Sequence, residues 1–127
     1  ADLYGFTPEQ ALRMAASFGG GIGRMREICG AACGMFLLAG LERSALSGAD
    51  RESKAANYAL VQELAAKFKE VTGTIHCAEL LGLSKKEPVV ATPEARTAQY
   101  YAKRPCAKMV EIAATIWGDF LEKEGKL

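Results

Sequence analysis

The sequence has one histidine, His76, among 127 residues, and its four cysteines form no Cys-x-x-Cys pair. That excludes a thioredoxin-type motif, a zinc ribbon, and any site built on several imidazoles. It also lacks a charge imbalance: 16 Lys and Arg face 15 Asp and Glu, for a formal net charge of +1. A chain so nearly neutral has no electrostatic footprint for nucleic acid, and no nucleic-acid partner is expected. The longest uncharged apolar run, Ile28 to Leu41, falls short of the roughly 20 residues that cross a bilayer. The protein is therefore not expected to be membrane-embedded. No basic segment followed by an apolar one opens the chain, so no secretion signal is expected. The expected location is cytoplasmic, where cysteines stay reduced unless they are catalytic or bound to metal.

Half of the residues are hydrophobic and 24% are charged, an ordinary globular balance that excludes intrinsic disorder. Alanine is abundant while Val and Ile are sparse, which favours helix over sheet. Thr7, Pro8 and Gln10 spell the start of a first helix, with Ala11, Leu12, Ala15 and Phe18 as its apolar stripe and Gly19-Gly20-Gly21 as its stop. A second helix is predicted from about Gly23 to Leu41, where Met25, Ile28, Cys29, Ala32, Phe36 and Ala39 recur at helical spacing. A third, capped by Asp50, should run from about Arg51 to Val71. Its expected buried face is Tyr58, Val61, Leu64, Ala65, Phe68 and Val71, with Lys54, Glu63, Lys67 and Glu70 in water. Thr74 is expected to cap a short helical turn that runs through Cys77 to Leu81. Ser84 to Thr92 reads as a linker. Thr92-Pro93-Glu94 repeats the first helix's start and predicts a helix toward Lys103. Pro105 opens the last helix, which carries Met109, Val110, Ile112, Ala113, Ile116, Trp117 and Phe120. The expected fold is an all-α, single-domain bundle of about five helices around one core.

A chain of this size does not need cysteines to fold, so Cys29, Cys33, Cys77 and Cys106 call for another explanation. Cys29 and Cys33, four apart on one predicted helix, suit two ligands on a metal better than a disulfide, although Cys33 serves equally well as a small core residue. Cys106 follows the proline that opens the last helix, where unpaired N–H groups and the helix dipole favour a thiolate. Lys103, Arg104 and Lys108 add positive charge there, and the window Ser84–Val110 holds six basic residues against two acids. Cys77 also lies near a predicted helix start. Its neighbour His76 points about 100° away on a helix, so the two form no ready-made dyad. The glycine run before Arg24 lacks the Lys-Ser/Thr ending of a phosphate loop and reads as a turn between helices. Arg24 and Arg26 read either as a solvated helix start or as cations that hold a thiolate at Cys29. Gly30, Ala31 and Gly34 are small enough to let another backbone approach.

The stretch from Phe18 to Leu41, FGGGIGRMREICGAACGMFLLAGL, resembles the core of the small redox-active proteins named for the C-GCAxxG-C-C pattern. The signature here is Cys29-Gly30-Ala31-Ala32-Cys33-Gly34. The similarity continues through Phe68-Lys69-Glu70, through Gly73 to Gly82, and into Cys106-Ala107-Lys108-Met109-Val110. The resemblance implies that Cys29, Cys77 and Cys106 are three of the family's four characteristic cysteines. The family's first lies upstream of the helix that starts near Thr7. In this chain it is expected either before Ala1 or lost, so the 127 residues make a domain short of the family's N-terminal segment. Cys33 falls at a variable position of the motif.

Three functions follow as expectations. The first is thiol–disulfide or electron-transfer chemistry with a redox partner protein. In it Cys106 attacks, Cys77 or Cys29 resolves, and Gly30, Ala31, Gly34, Arg24 and Lys108 support the site. The second is a metal module in which Cys29, Cys33, Cys77 and Cys106 hold zinc, copper(I) or an iron–sulfur cluster. The third is a helical assembly protein whose small-residue face on the second helix pairs with a second copy in a homodimer.

Overall fold

The computed structural model describes residues 2–83, 90–98 and 105–127. It is all-α: among the described residues there are five α-helices and no sheet, only one isolated antiparallel bridge. Helix α1 spans Pro8–Ala15 and is followed by a 3-10 turn, Ala16–Phe18. Helix α2 spans Gly30–Glu42, α3 Arg51–Thr72, α4 Cys77–Leu80 and α5 Cys106–Lys123. No helix among the described residues is long and apolar enough to cross a membrane.

The helix ends follow local chemistry. Thr7 accepts from the Gln10 amide at 3.1 Å, and the Gln10 side chain accepts from the Thr7 amide at 2.9 Å, completing the reciprocal cap of α1. Asp50 accepts from the Ser53 amide at 3.0 Å and starts α3, which Gly73 ends in a left-handed conformation.

Helices α2, α3 and α5 pack pairwise around the core. Helix α3 contributes Leu60, Leu64 and Phe68, one residue per turn on a single face. Helix α5 contributes Met109, Ala113, Ile116, Trp117, Phe120 and Leu121 at helical spacing. Helix α2 is apolar all round until Glu42, and both of its sides are covered. Ala32, Met35 and Ala39 enter the three-helix core. Gly34, Leu37 and Leu38 line a cleft of about 200 Å³ with Phe6, Met14 and Phe18 from the α1 segment.

Helices α2 and α5 run parallel, because their C-terminal ends meet. Arg43 pairs with Glu124 at 3.2 Å and stacks over the Phe120 ring at 5.6 Å. Glu42 accepts from the Tyr4 hydroxyl at 2.7 Å and from the Lys126 ammonium. The N-terminal starts of α2 and α5 therefore both point toward the opposite pole.

Several expectations change. Helix α2 begins at Gly30, not Gly23. The preceding residues Gly20 to Gly23 and Arg24 are left-handed, with φ between 59° and 74°, and Arg26 follows at 62°. The glycine run permits this path, but Ile22, Arg24 and Arg26 are side-chain-bearing residues for which it costs about 1–2 kcal/mol each. Met25 is half exposed and belongs to no helix. In α1, Leu12 faces water. On α3, Tyr58 and Val71 are exposed and Leu60 is buried instead, because the face toward α2 and α5 is the 60–64–68 stripe. Val110 is exposed on α5. His76 rather than Thr74 occupies the cap position of α4; the Thr74 hydroxyl accepts the His76 amide at 3.1 Å. Residues 93–97 have no regular structure, so Thr92-Pro93-Glu94 does not start a helix. The remainder of that predicted helix, 99–103, and most of the predicted linker, 84–89, lie outside the described residues.

Two outcomes test this account. Phe68 is fully buried, so Phe68→Ala should lower the unfolding free energy by about 3–5 kcal/mol in denaturant titration. Hydrogen bonds from Lys126 and Tyr4 hold the Glu42 carboxyl below its ordinary range. A depressed carboxylate contributes stability above its unfolded-state titration and loses it as pH falls through its folded value. The Tyr4 hydroxyl is pushed up to about 12, by burial first and then by Glu42, so its contribution disappears only as pH rises from about 10 toward 12. Glu42→Gln should therefore flatten the loss of stability on the acid side, measured as midpoint against pH below about 5.

Candidate functional site

The site forms where two distant segments meet. The Cys29 amide donates to the Ile75 carbonyl at 2.7 Å, and the Cys77 amide donates to the Glu27 carbonyl at 2.6 Å. These bonds flank the antiparallel pair Ile28–His76. In this register Cys29 stands opposite Ile75 and Cys77 opposite Glu27. Side-chain alternation then puts Cys29 and Cys77 on one face as diagonal neighbours, with Cα atoms roughly 7–8 Å apart. A disulfide spans up to about 6.8 Å between Cα atoms, so closing one here requires the backbone of the two segments to move together. His76 belongs to the other face and is exposed.

Each sulfur has a distinct setting. Cys29 is the N-cap residue of α2 and is partly buried against the core. Cys77 is the first residue of α4 and only 7% exposed. Cys33 lies one turn into α2, its amide donating to the Cys29 carbonyl at 2.9 Å. Burial pushes the Cys33 thiol above its usual range, and the neighbouring charge of Cys29 adds to this. Cys106 is exposed at the first position of α5. Cys29 lies fourteen positions before Arg43, and Cys106 fourteen before Phe120, the two residues in contact at the far pole. At 1.5 Å per residue both therefore start about 21 Å from that contact, at a similar height.

The glycine-rich loop packs over Cys77. A Cβ at Gly21 would fall 2.5 Å from the Cys77 Cβ and 2.8 Å from the Glu27 nitrogen, and φ there is +74°. Arg26 Nη1 donates to Cys77 Sγ at 3.7 Å. Arg24 Nη1 donates to the Val90 carbonyl at 2.8 Å. Of the two arginines read either as a solvated helix start or as cations for Cys29, Arg26 reaches Cys77 and Arg24 ties down the segment after residue 89. The left-handed path turns their side chains in different directions.

The remaining expected residues separate. A Cβ at Gly30 would fall 2.4 Å from the Phe18 carbonyl oxygen, so the close backbone approach expected at the small residues is made there. Ala31 packs at the edge of the core, and Gly34 faces open space. Lys108 pairs with Glu111 at 3.5 Å in solvent, so it is not dedicated to Cys106; Lys103 and Arg104 lie outside the described residues. Among the described residues, which include all four cysteines, there is no disulfide, and no three Cys, His, Asp or Glu side chains are gathered closely enough to hold a metal ion. The structure thus joins the segments of Cys29 and Cys77 by backbone hydrogen bonds, sets Cys33 one turn into α2, and opens α5 with Cys106. It does not assemble a four-sulfur cage. Sequence reasoning read Gly21 only as part of a turn, and neither of its readings of Arg26 placed that residue at Cys77.

Fold and site together define a small all-α cysteine protein whose thiols collect at helix starts. A family profile described as "Putative redox-active protein (C_GCAxxG_C_C)" matches residues 1–120, and the chain belongs to that family. No curated protein and no solved structure matches it.

Two glycines give opposite expected outcomes. Gly21→Ala, strained in backbone and crowded against Cys77, should cost at least about 1–2 kcal/mol. Gly34→Ala, inside α2 with nothing within 4 Å of the new methyl, should gain about 0.5–1 kcal/mol. Thermal and denaturant unfolding of the two variants checks both.

Proposed function

We propose that the protein exchanges electrons with a partner protein by thiol–disulfide chemistry, with Cys29 and Cys77 as its two-electron couple and Cys106 as the thiol that meets the partner. One observation carries this reading: backbone hydrogen bonds pair residues 27–29 with residues 75–77, so Cys29 and Cys77 flank one short bridge. Membership of a redox-active family and the exposure of Cys106 at the same pole support it.

The chemistry balances without a cofactor. The Cys106 thiolate attacks one sulfur of a partner disulfide; that S–S bond breaks and the departing partner sulfur takes a proton. Cys29 then attacks the Cys106 sulfur of the mixed disulfide and releases the second partner thiol. Cys77 attacks Cys29 in turn, forming the Cys29–Cys77 bond and restoring Cys106 as a thiol. Two electrons and two protons pass from the Cys29–Cys77 dithiol to the partner disulfide. The reverse sequence oxidises a partner dithiol.

Mild oxidation with diamide, followed by alkylation and peptide mass mapping, tests the couple. A Cys29–Cys77 bridge should form in the wild type and in Cys106→Ser alike. Cys106→Ser should slow the reduction of a protein disulfide, Cys29→Ser should accumulate mixed disulfides with the partner, and Cys77→Ser should release one product and stall as a Cys29–Cys106 disulfide. A chain whose Cys29 and Cys77 never bridge, while both remain open to alkylation, would overturn the reading.

A further inference from the structure

We infer that Arg26 is a positioning residue for Cys77: its guanidinium donates to the sulfur and holds it ready to react, and the left-handed turn before it delivers that guanidinium. This deepens the reading above and rests on it for its biological meaning.

Three independent features converge. Cys77 is 7% exposed, so its sulfur has little water around it and takes its hydrogen bond from the protein. Arg26 Nη1 donates to that sulfur at 3.7 Å, within the range of a hydrogen bond to sulfur. The backbone that brings Arg26 there is strained, with φ of 62° at Arg26 and at Arg24 and 65° at Ile22. Residues with side chains keep such angles only where surrounding contacts enforce them, and such positions gather at functional sites.

The enforcing contacts are visible. Gly21 lies flat against the Cys77 Cβ and Glu27. The Arg26 amide donates to the Gly20 carbonyl at 3.1 Å, and the Glu27 amide to the Gly21 carbonyl at 2.9 Å. The very next carbonyl donor-acceptor link, Cys77 amide to Glu27 carbonyl, locks the loop's end to the residue whose sulfur it serves. The other titratable groups around Cys77 are Cys29 diagonally across the bridge, exposed Glu27 opposite it, and His76 and Glu79 beside it in the chain. Of these and Arg26, Arg26 is the group whose donor reaches the sulfur. Its charge persists across the whole working pH range.

The test follows alkylation of Cys77 by iodoacetamide in the folded full chain, resolved by peptide mass mapping, as a function of pH. Arg26→Gln should slow Cys77 roughly tenfold near neutral pH, the loss of one hydrogen bond from a charged donor. Arg26→Lys should restore much of the rate, and Arg24→Gln should leave it unchanged. Arg26→Gly separates chemistry from architecture: glycine suits the left-handed angle, so this variant should fold at least as stably yet keep the slow Cys77. An unmoved Cys77 profile in both Arg26→Gln and Arg26→Gly would overturn the inference. So would a faster reaction at all four cysteines, which would assign Arg26 to holding the loop shut. Alkylation reads Cys77 alone, so the result stands apart from whether a Cys29–Cys77 disulfide forms.

Discussion

Two backbone hydrogen bonds, Cys29 to Ile75 and Cys77 to Glu27, set the geometry of the thiol pole. Each occupies a polar group that would otherwise be left over where a helix begins. The amide of an N-cap residue and the first amide of a helix have no partner inside the helix, and here each finds one in the other segment. The same pair of bonds starts α2 at Gly30, starts α4 at Cys77, and puts two sulfurs on one face. Gly30 can then back onto the Phe18 carbonyl, and the chain between Phe18 and Glu27 must cross a short gap in ten residues. A left-handed coil, opened by glycines, is how it does so.

The molecule is consequently asymmetric from end to end. At one pole, Tyr4, Glu42, Arg43, Glu124 and Lys126 tie the N-terminal turn and the ends of α2 and α5 together with charge and hydrogen bonds. At the other pole, cysteines and backbone do the work and the side chains are mostly small. Between them, Phe68, Met35 and Leu64 fill the interior and hold the parallel pair α2 and α5 against α3. Exposed ion pairs such as Lys67–Glu63 add little to this, being screened by water.

Much of the fold is legible in single-residue signals because those signals act locally. Thr7 with Gln10, Asp50 with Ser53, and Gly73 each set a helix end through contacts within a few residues, and each does so at the expected place. The CGAxxG signature and the two later cysteines identify the family without any structure. What is not legible depends on residues far apart. Period alone could not tell which side of α3 would meet α5, so Leu60 was passed over for Tyr58. Glu27-Ile28-Cys29 is too short to show a strand period, and its partner lies beyond all of α3. Glycines before a run of apolar residues read as a helix start unless that pairing is known, and the direction of Arg26 follows from the pairing, not from its place in the chain.

The distance along the chain between the bridge's halves has a kinetic consequence. All of α2 and α3 intervene between Ile28 and His76. Closing a loop of that length carries an entropic cost that only the packed α2–α3–α5 core offsets, so the contact belongs to the late steps of folding. In an unfolded chain Cys29 and Cys77 meet no more readily than any pair at that separation, while Cys29 and Cys33 meet often. Tertiary structure thus adds Cys77 to the surroundings of Cys29, where the chain alone would supply only Cys33.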